Sequence, residues 1–465
     1  MAFSSSSLLR LINAKGIIGS SSNYCMLGKW SARYRSSLFN LRGLSTATMP
    51  NQDSSPWLML PPEIEAGTVS YKFYSVADNK VQTLCPIDKI RNLQLTCRGS
   101  SHGWLALLRP HHHEGGFYLR NPITGRYLHN PISGRLIKVP SILNLPTLFK
   151  DSFFLYNPIS GRLIKLPSIL NLATFFKDDM FGNLGSPRSI TKVILSCSPD
   201  EDEDNCRAVI VRNSGYAMAF CCPGRSKEWT LMLDEDRDYK DCVYSARLKL
   251  FFTLNSNYYE PRIETWDLRD LSSPKLIKVD ETNIKQGHFY SLFHTFVPLR
   301  CGTKEHLVVA KEDLLLVVQY IMEDVGPDGS CFEDSDDSYP GNCHHMTIGF
   351  DIFKYDDSEK GKFEYLDSSS LGDLAIFVGS HNHSVAIQAT EFPGVKPNSI
   401  YFTDAYGTGN FQGLESYYNS QICGHDIGIY NYQDKTVSPC YYPCDASSVK
   451  PILPAPIWFY PSRTI

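Results

Sequence analysis

From Lys227 to Tyr430 the chain is written in short apolar runs separated by turn formers, and that rhythm limits the folds open to it. Lys227-Glu-Trp-Thr-Leu-Met232, Asp241 to Leu254 and Arg262-Ile-Glu-Thr-Trp-Asp-Leu268 give several strand-length segments in roughly forty residues, close to the length of one propeller blade. His306 to Ala310 with Leu314 to Tyr320, Thr347 to Tyr355 with Lys362 to Leu366, and a last group ending at Asp426-Ile-Gly-Ile-Tyr430 repeat the rhythm. In the last group, Leu371-Gly-Asp-Leu-Ala-Ile-Phe-Val-Gly379 and Asn398-Ser-Ile-Tyr-Phe-Thr-Asp404 read as two buried strands. Leu374, Ile376 and Val378 fall on one face of the first, Ala375 and Phe377 on the other. Pro393 and Pro397 between the two strands each remove a backbone donor, so pairing stops there.

A chain of 465 residues is too long for one compact core unless that core is distributed around an axis or along a stack. Aromatic residues at 12%, with 28 prolines and 31 glycines, favour many short strands over long helices. The expectation is an all-β, β-propeller-like array of short antiparallel sheets, with a β-sandwich array as the competing architecture.

A second repeat lies upstream. Asn130 to Asp151 recurs as Asn157 to Asp178 with three differences, at Val139/Leu166, Pro146/Ala173 and Leu148/Phe175. The 27-residue period is well short of a blade, so the unit reads as a hairpin, half a sheet. Asn157-Pro-Ile-Ser-Gly161 is its turn, and Asn121-Pro-Ile-Thr-Gly-Arg126 is a clipped third version. A closed ring has no place for half a blade, so one copy is expected as an extra hairpin or looped-out insert within 130–178.

The first fifty residues carry six basic side chains and no Asp or Glu, which leaves 39 basic against 49 acidic in the remainder. Residues 1–44 are Ser- and Arg-rich, and Ser7-Leu-Leu-Arg-Leu-Ile-Asn-Ala-Lys15 is amphipathic, the pattern of an organellar transit peptide. Arg42-Gly-Leu-Ser45 resembles a mitochondrial processing site, with a chloroplast as the other destination. Residues 45–55 read as a linker and 56–461 as the folded domain. The acidic remainder gains little at nucleic-acid phosphates, so no nucleic-acid partner is expected. The most apolar run, Leu314-Leu-Leu-Val-Val318, is too short to span a bilayer.

No catalytic, cofactor-binding or metal-ligating residue is assigned from the sequence. His102 beside Gly103 reads as a turn residue, and His111-His112-His113 as a solvated loop. Cys440 and Cys444 with Cys423 and His425 approach zinc spacing, and Cys343-His344-His345 does so more weakly; thiols without metal are the favoured reading of both. Asp234 to Asp238 starts like a calcium loop but has Tyr239 and Ser245 where glycine and glutamate are required. Gly407, Gly409 and Gly413 depart from dinucleotide spacing. Met322 to His345 reads as an exposed acidic loop, and Pro199 to Asn205 as a solvated acidic turn.

Pro56-Trp-Leu-Met-Leu-Pro, Gly99-Ser-Ser-His-Gly-Trp104, Tyr156-Asn-Pro-Ile-Ser-Gly161, Leu374 to Gly379, Asn398 to Asp404 and Ile457-Trp-Phe-Tyr-Pro461, in that order, resemble the plant "domain of unknown function 295" family, described as F-box and kelch-like. The resemblance implies a β-propeller-like region and an organellar branch without the F-box. It transfers no catalytic residue. The expected role is a non-catalytic module that binds an unknown protein partner, in mitochondria. The alternatives are a ubiquitin-ligase substrate adaptor without its own F-box, or a hydrolase using carboxylates near a central channel, with Asp267, Asp351 and Asp404 as candidates.

Overall fold

Side chains alternate along a strand, so a strand buried on both faces can pack against two neighbours at once. That property closes this chain into a ring. The computed structural model describes residues 55–65, 68–84, 96–108, 117–118, 138–139, 153–169, 190–212, 218–232, 239–257, 260–281, 301–326, 344–356, 362–367, 371–406, 424–444 and 449–461. The leader expected as a transit peptide, residues 1–44, and His111 to His113, Asp234 to Asp238, Cys343, Cys423 and Gly407 to Gly413 lie outside them.

Among the described residues the strands form blades, antiparallel but for one pair inside the sixth, each with an inner strand toward the axis. The second blade runs Thr96–Ser101, Trp104–Leu108, Phe153–Tyr156, Leu163–Leu166. The third runs Ile190–Leu195, Ala208–Arg212, Met218–Cys221, Thr230–Leu231, and the fourth Tyr239–Ser245, Leu250–Asn257, Glu260–Asp267, Lys275–Glu281. Cys301–Ala310, Asp313–Val325, His344–Asp356 and Lys362–Leu366 make the fifth. A single parallel pair, Val309 with Val385, joins it to the sixth, ordered Val385–Gln388, Leu374–Val378, Ser399–Phe402, Gly428–Asn431, Thr436–Ser438. The two strands singled out in the sequence, Leu374–Val378 and Ser399–Phe402, lie side by side and parallel.

The first blade is built from both ends of the domain. Its inner strand is the C-terminal Ile457–Phe459, which pairs antiparallel with Trp57–Met59; Thr68–Ser75 and Lys80–Leu84 follow outward. Leu58, Tyr74 and Trp458 then face the sixth blade with Ala375, Phe377 and Tyr401. Trp57, Met59, Phe73 and Phe459 face the second blade with Leu105, Leu107 and Tyr156. The remaining cores lie between the second and third blades, the third and fourth, and the fourth, fifth and sixth, so the hydrophobic contact runs around the whole ring.

The second and third blades approach closely where the sequence has Gly99. A Cβ there would lie 2.8 Å from the Val193 backbone nitrogen, so the inner strands of the second and third blades meet only because the side chain is missing. The second hairpin copy supplies the outer half of the second blade: Asn157 Oδ1 accepts the Ile159 and Ser160 N–H groups, Gly161 takes φ +72°, and Leu163–Leu166 pairs back on Phe153–Tyr156. Arg162 reaches the acidic turn of the third blade, 2.8 Å from both Asp200 and Glu203. Of the first copy, Lys138–Val139 pairs with Phe117–Tyr118 in a separate two-stranded ribbon.

Two expectations need correction. Lys227 to Met232 does not open the fourth blade; Thr230–Leu231 is the outer strand of the third, and Trp229 packs there with its indole donating to Pro167 O at 2.9 Å. Met322 to His345 is not wholly an exposed loop, because strands run to Val325 at one end and from His344 at the other, and both His344 and His345 are buried.

Candidate functional site

The centre of the ring is filled by the chain itself. Between the strands Leu374–Val378 and Val385–Gln388, residues Gly379 to Ser384 reach the second blade: Ser100 N–H donates to His381 O at 3.1 Å, and His383 N–H donates to Ser100 O at 2.9 Å. His381 Nδ1 donates to Thr191 O on the third blade at 2.5 Å. Asn382, His383 and Ser384 are buried. Gly379 permits this turn, since a Cβ would strike the Asn382 amide and the Thr403 hydroxyl, both closer than 2.5 Å.

Around the plug stand polar groups from four inner strands. Arg98 and Ser101 come from the second blade, Lys192 from the third, Asp241 from the fourth, Lys304 and His306 from the fifth. Lys192 Nζ donates to Asp241 Oδ1 at 2.7 Å, and Ser101 Oγ accepts Leu195 N–H at 3.1 Å. His102 takes φ +48° in a tight turn with Gly103 and stacks on His383, ring centroids 5.2 Å apart. Here the sequence reading of His102 as a turn residue holds for its backbone, while its ring lies against the plug.

Burial pushes the imidazoles of His102 and His381 down to about 4, and those of His306 and His383 well below the usual range; the Lys192, Lys304 and Arg98 charges add to the effect on His306 and His381. These rings are neutral in the folded protein, whereas in an unfolded chain they take up protons near pH 6.5. Their contribution to stability is therefore complete above about pH 6.5 and is lost as the pH falls from there towards about 4. His345 and Asp426, both raised, act in the opposite sense, but they are outnumbered. Urea midpoints at pH 7, 6 and 5 are expected to fall steadily, and His383→Asn to make the fall shallower. A midpoint that holds or rises on acidification contradicts this account.

A second polar centre joins the fifth and sixth blades. His345 is the second residue of the strand His344–Asp356, Asp404 follows Ser399–Phe402, and His425 precedes Gly428–Asn431. His345 Nε2 lies 3.0 Å from Asp404 Oδ2, and His425 Nδ1 lies 3.8 Å from the same oxygen. Asp404 also accepts the Gly424 N–H at 2.7 Å and the Tyr406 N–H at 2.9 Å. Beside it Asp426 accepts both the Thr347 N–H, at 3.0 Å, and the Thr347 hydroxyl, at 2.5 Å. Gln319 Nε2 donates to that hydroxyl at 2.7 Å, and the Gln319 oxygen lies 3.1 Å from His306 Nε2, so this centre is linked to the plug. Although burial alone would raise it, Asp404 is held down at about 2 by His345 and His425; burial pushes Asp426 up to about 6.

The three carboxylates named for a hydrolase are not gathered into one site. Asp267 pairs with Arg269 in an exposed turn, Asp351 accepts Tyr320 Oη at 3.1 Å inside the fifth blade, and only Asp404 belongs to the histidine centre. Cys440 and Cys444 join no group of three metal-ligating residues among the described ones; Cys440 packs with Tyr441 and Tyr442 against the core between the sixth and first blades. Sequence reasoning placed His345 and His425 in two separate clusters and missed that the fold brings them together. The signal was present in halves, as Cys343-His344-His345 and as Gly424-His425-Asp426.

No helix among the described residues is long and apolar enough to cross a membrane. Among curated proteins, one of Arabidopsis thaliana named as an F-box protein is 38% identical over 85 residues. That match covers 18% of this chain and about a fifth, 22%, of the relative's length. Solved structures are distant: TolB from Acinetobacter baumannii is 9% identical with a TM-score of 0.33, over 88% of this chain and 68% of that one. The dihydro-heme d1 dehydrogenase NirN is 9% identical with a TM-score of 0.28, over 86% of this chain and 76% of that one. The family model described as KIB1-4 beta-propeller matches residues 73–431, from the first blade to the sixth, and the chain belongs to that family.

Proposed function

We propose that this protein is a non-catalytic protein-interaction module of mitochondria, whose rim and loops present aromatic and acidic side chains to a protein partner. The observation that carries the reading is the filled axis. A propeller that acts on a small molecule needs room near its channel for the substrate, and here His381 to Ser384 occupy that position with hydrogen bonds to the second and third blades. What remains for recognition is the outer surface, where Ile277 and Val279 stand exposed on the outer strand of the fourth blade. The order of motifs from Trp57 to Pro461, which resembles the domain of unknown function 295 family, supports the same class of role. The basic, acid-free leader supports the destination.

The test compares the tagged full-length chain with one that begins at Ser45. The full-length chain is expected to be imported by mitochondria and cleaved near Ser45, the shorter one to stay outside, and the imported form to copurify with a partner that Ile277→Lys/Val279→Lys releases. A second reading rests on the Arabidopsis relative named as an F-box protein: a ubiquitin-ligase substrate adaptor. An uncleaved chain in cytosol or nucleus, bound to the ligase scaffold, would replace the first reading with the second.

A further inference from the structure

The centre between the fifth and sixth blades has the donor set, spacing and supporting hydrogen bonds of a metal site. His345, Asp404 and His425 each offer one ligand atom, and these atoms lie within 4.8 Å of one another. Ligands around one tetrahedral zinc ion sit about 3.3 to 3.5 Å apart, which follows from bonds of about 2.0 to 2.2 Å. The observed 3.0 Å and 3.8 Å from Asp404 Oδ2 to the two imidazoles bracket that value. All three side chains are buried, at 2%, 0% and 6% exposure.

The orientation of His425 is the more telling observation. Its Nε2 lies 2.8 Å from the carbonyl oxygen of His345, which can only accept, so Nε2 carries the proton. In the neutral ring Nδ1 then holds a lone pair, and that lone pair faces the Asp404 carboxylate. Two electron-rich atoms turned towards each other in a buried site call for positive charge between them. A ligating imidazole whose other nitrogen donates to a backbone carbonyl is the usual supporting arrangement of a metal-bound histidine. Asp404 is likewise held in place by the Gly424 and Tyr406 amides. His345 turns its Nε2 to the same carboxylate oxygen, and its ring is packed edge-on to Tyr406, centroids 4.9 Å apart.

We propose that His345, Asp404 and His425 bind a divalent transition-metal ion, Zn²⁺ being the species to test, and that the ion fastens the fifth blade to the sixth. Two imidazoles and one carboxylate suit zinc, and three protein ligands leave one position for water or another donor. The ion binds the folded chain only, since the ligands stand 59 and 80 residues from His345 in sequence, and it therefore stabilises the ring by mass action.

The experiment uses the full chain, stripped with EDTA and titrated with Zn²⁺ alone. Expected are about one tightly bound zinc per chain, a melting temperature that rises by several degrees on its addition, and a tetrahedral visible absorption band when Co²⁺ replaces it. His425→Gln and Asp404→Asn are expected to lose the bound ion and the thermal shift. Cys440→Ser/Cys444→Ser and His111→Ala/His112→Ala/His113→Ala are expected to keep both. A wild-type chain that binds no stoichiometric zinc and melts identically with and without it overturns the proposal, a result that does not depend on any variant folding. Zinc retained by His425→Gln and Asp404→Asn, or lost from either control, overturns it by placing the ion elsewhere.

Discussion

A chain ending at Ala455 is expected to lose the cooperative fold, and Trp458→Ala in the full-length chain to lower stability by about 3 to 5 kcal/mol. Ile457–Phe459 is only a three-residue strand, but it is the inner strand of the first blade and supplies both faces of the joint that closes the ring. Trp458, fully buried, sits edge-on to Phe377 of the sixth blade, centroids 5.0 Å apart, and 6.0 Å from Tyr401. Phe459 turns the other way, 5.1 Å from Phe73 and 6.0 Å from Trp57. Deleting the strand exposes Trp57–Met59 as a bare edge and opens two cores at once, against a total folding free energy that for a domain is about 5 to 15 kcal/mol. The indole Nε1 of Trp458 is buried with no hydrogen-bond partner among the described residues, so Trp458→Phe is expected to cost less than Trp458→Ala. Urea and thermal unfolding followed by circular dichroism, with limited proteolysis of the truncated chain, measure all three. A truncated chain that melts like the intact one would mean that the C-terminal strand does not close the ring.

That closure also shows where the sequence was legible and where it was not. Strands announce themselves by period-2 alternation, so the two faces of Leu374–Val378 could be assigned from spacing alone; Ile376 and Val378 do face the core shared with the fifth blade, and Ala375 and Phe377 the first. Blade boundaries carry no such mark. The second to fifth blades repeat the same strand pattern, and because the C-terminal strand takes the inner position of the first blade, a count from any apparent beginning slips by one strand. Trp229 was assigned to the wrong blade for that reason, since a Trp before an apolar run suits an outer strand as well as an opening one.

The polar centres were hidden by a different cause. His345, Asp404 and His425 come from the start of one strand, the loop after a second and the approach to a third, and no local spacing connects them. The plug was hidden in the same way. Gly379-Ser-His-Asn-His-Ser384 looks like an ordinary polar turn, and only the parallel bridge from Asn382 to Ser100 puts it across the axis. Residue types were legible; the contacts they make across blades were not.

The pair at the axis gives the other large effect: Asp241→Ala is expected to destabilise the protein by about 3 to 5 kcal/mol, and Lys192→Met by distinctly less. Both side chains are buried, and the Lys192 ammonium depends on Asp241 Oδ1 at 2.7 Å. Asp241 does more than pair with it. Oδ1 also accepts the Cys242 N–H at 2.7 Å, and Oδ2 the Leu307 N–H at 2.9 Å, so one carboxylate links the inner strands of the third, fourth and fifth blades. Removing it leaves a buried ammonium and two backbone donors unsatisfied, with the charge of Lys304 near enough to act on the same group of histidines. Removing Lys192 instead leaves a carboxylate that still holds both amides. Combining the two changes should relieve the stranded ammonium but not the amides, so the double variant falls between Asp241→Ala and the wild type, with a coupling of about 1 to 3 kcal/mol in the cycle. Unfolding midpoints of the four proteins at one pH measure it. If Lys192→Met is the more damaging single change, Asp241 is not the group on which the three strands depend.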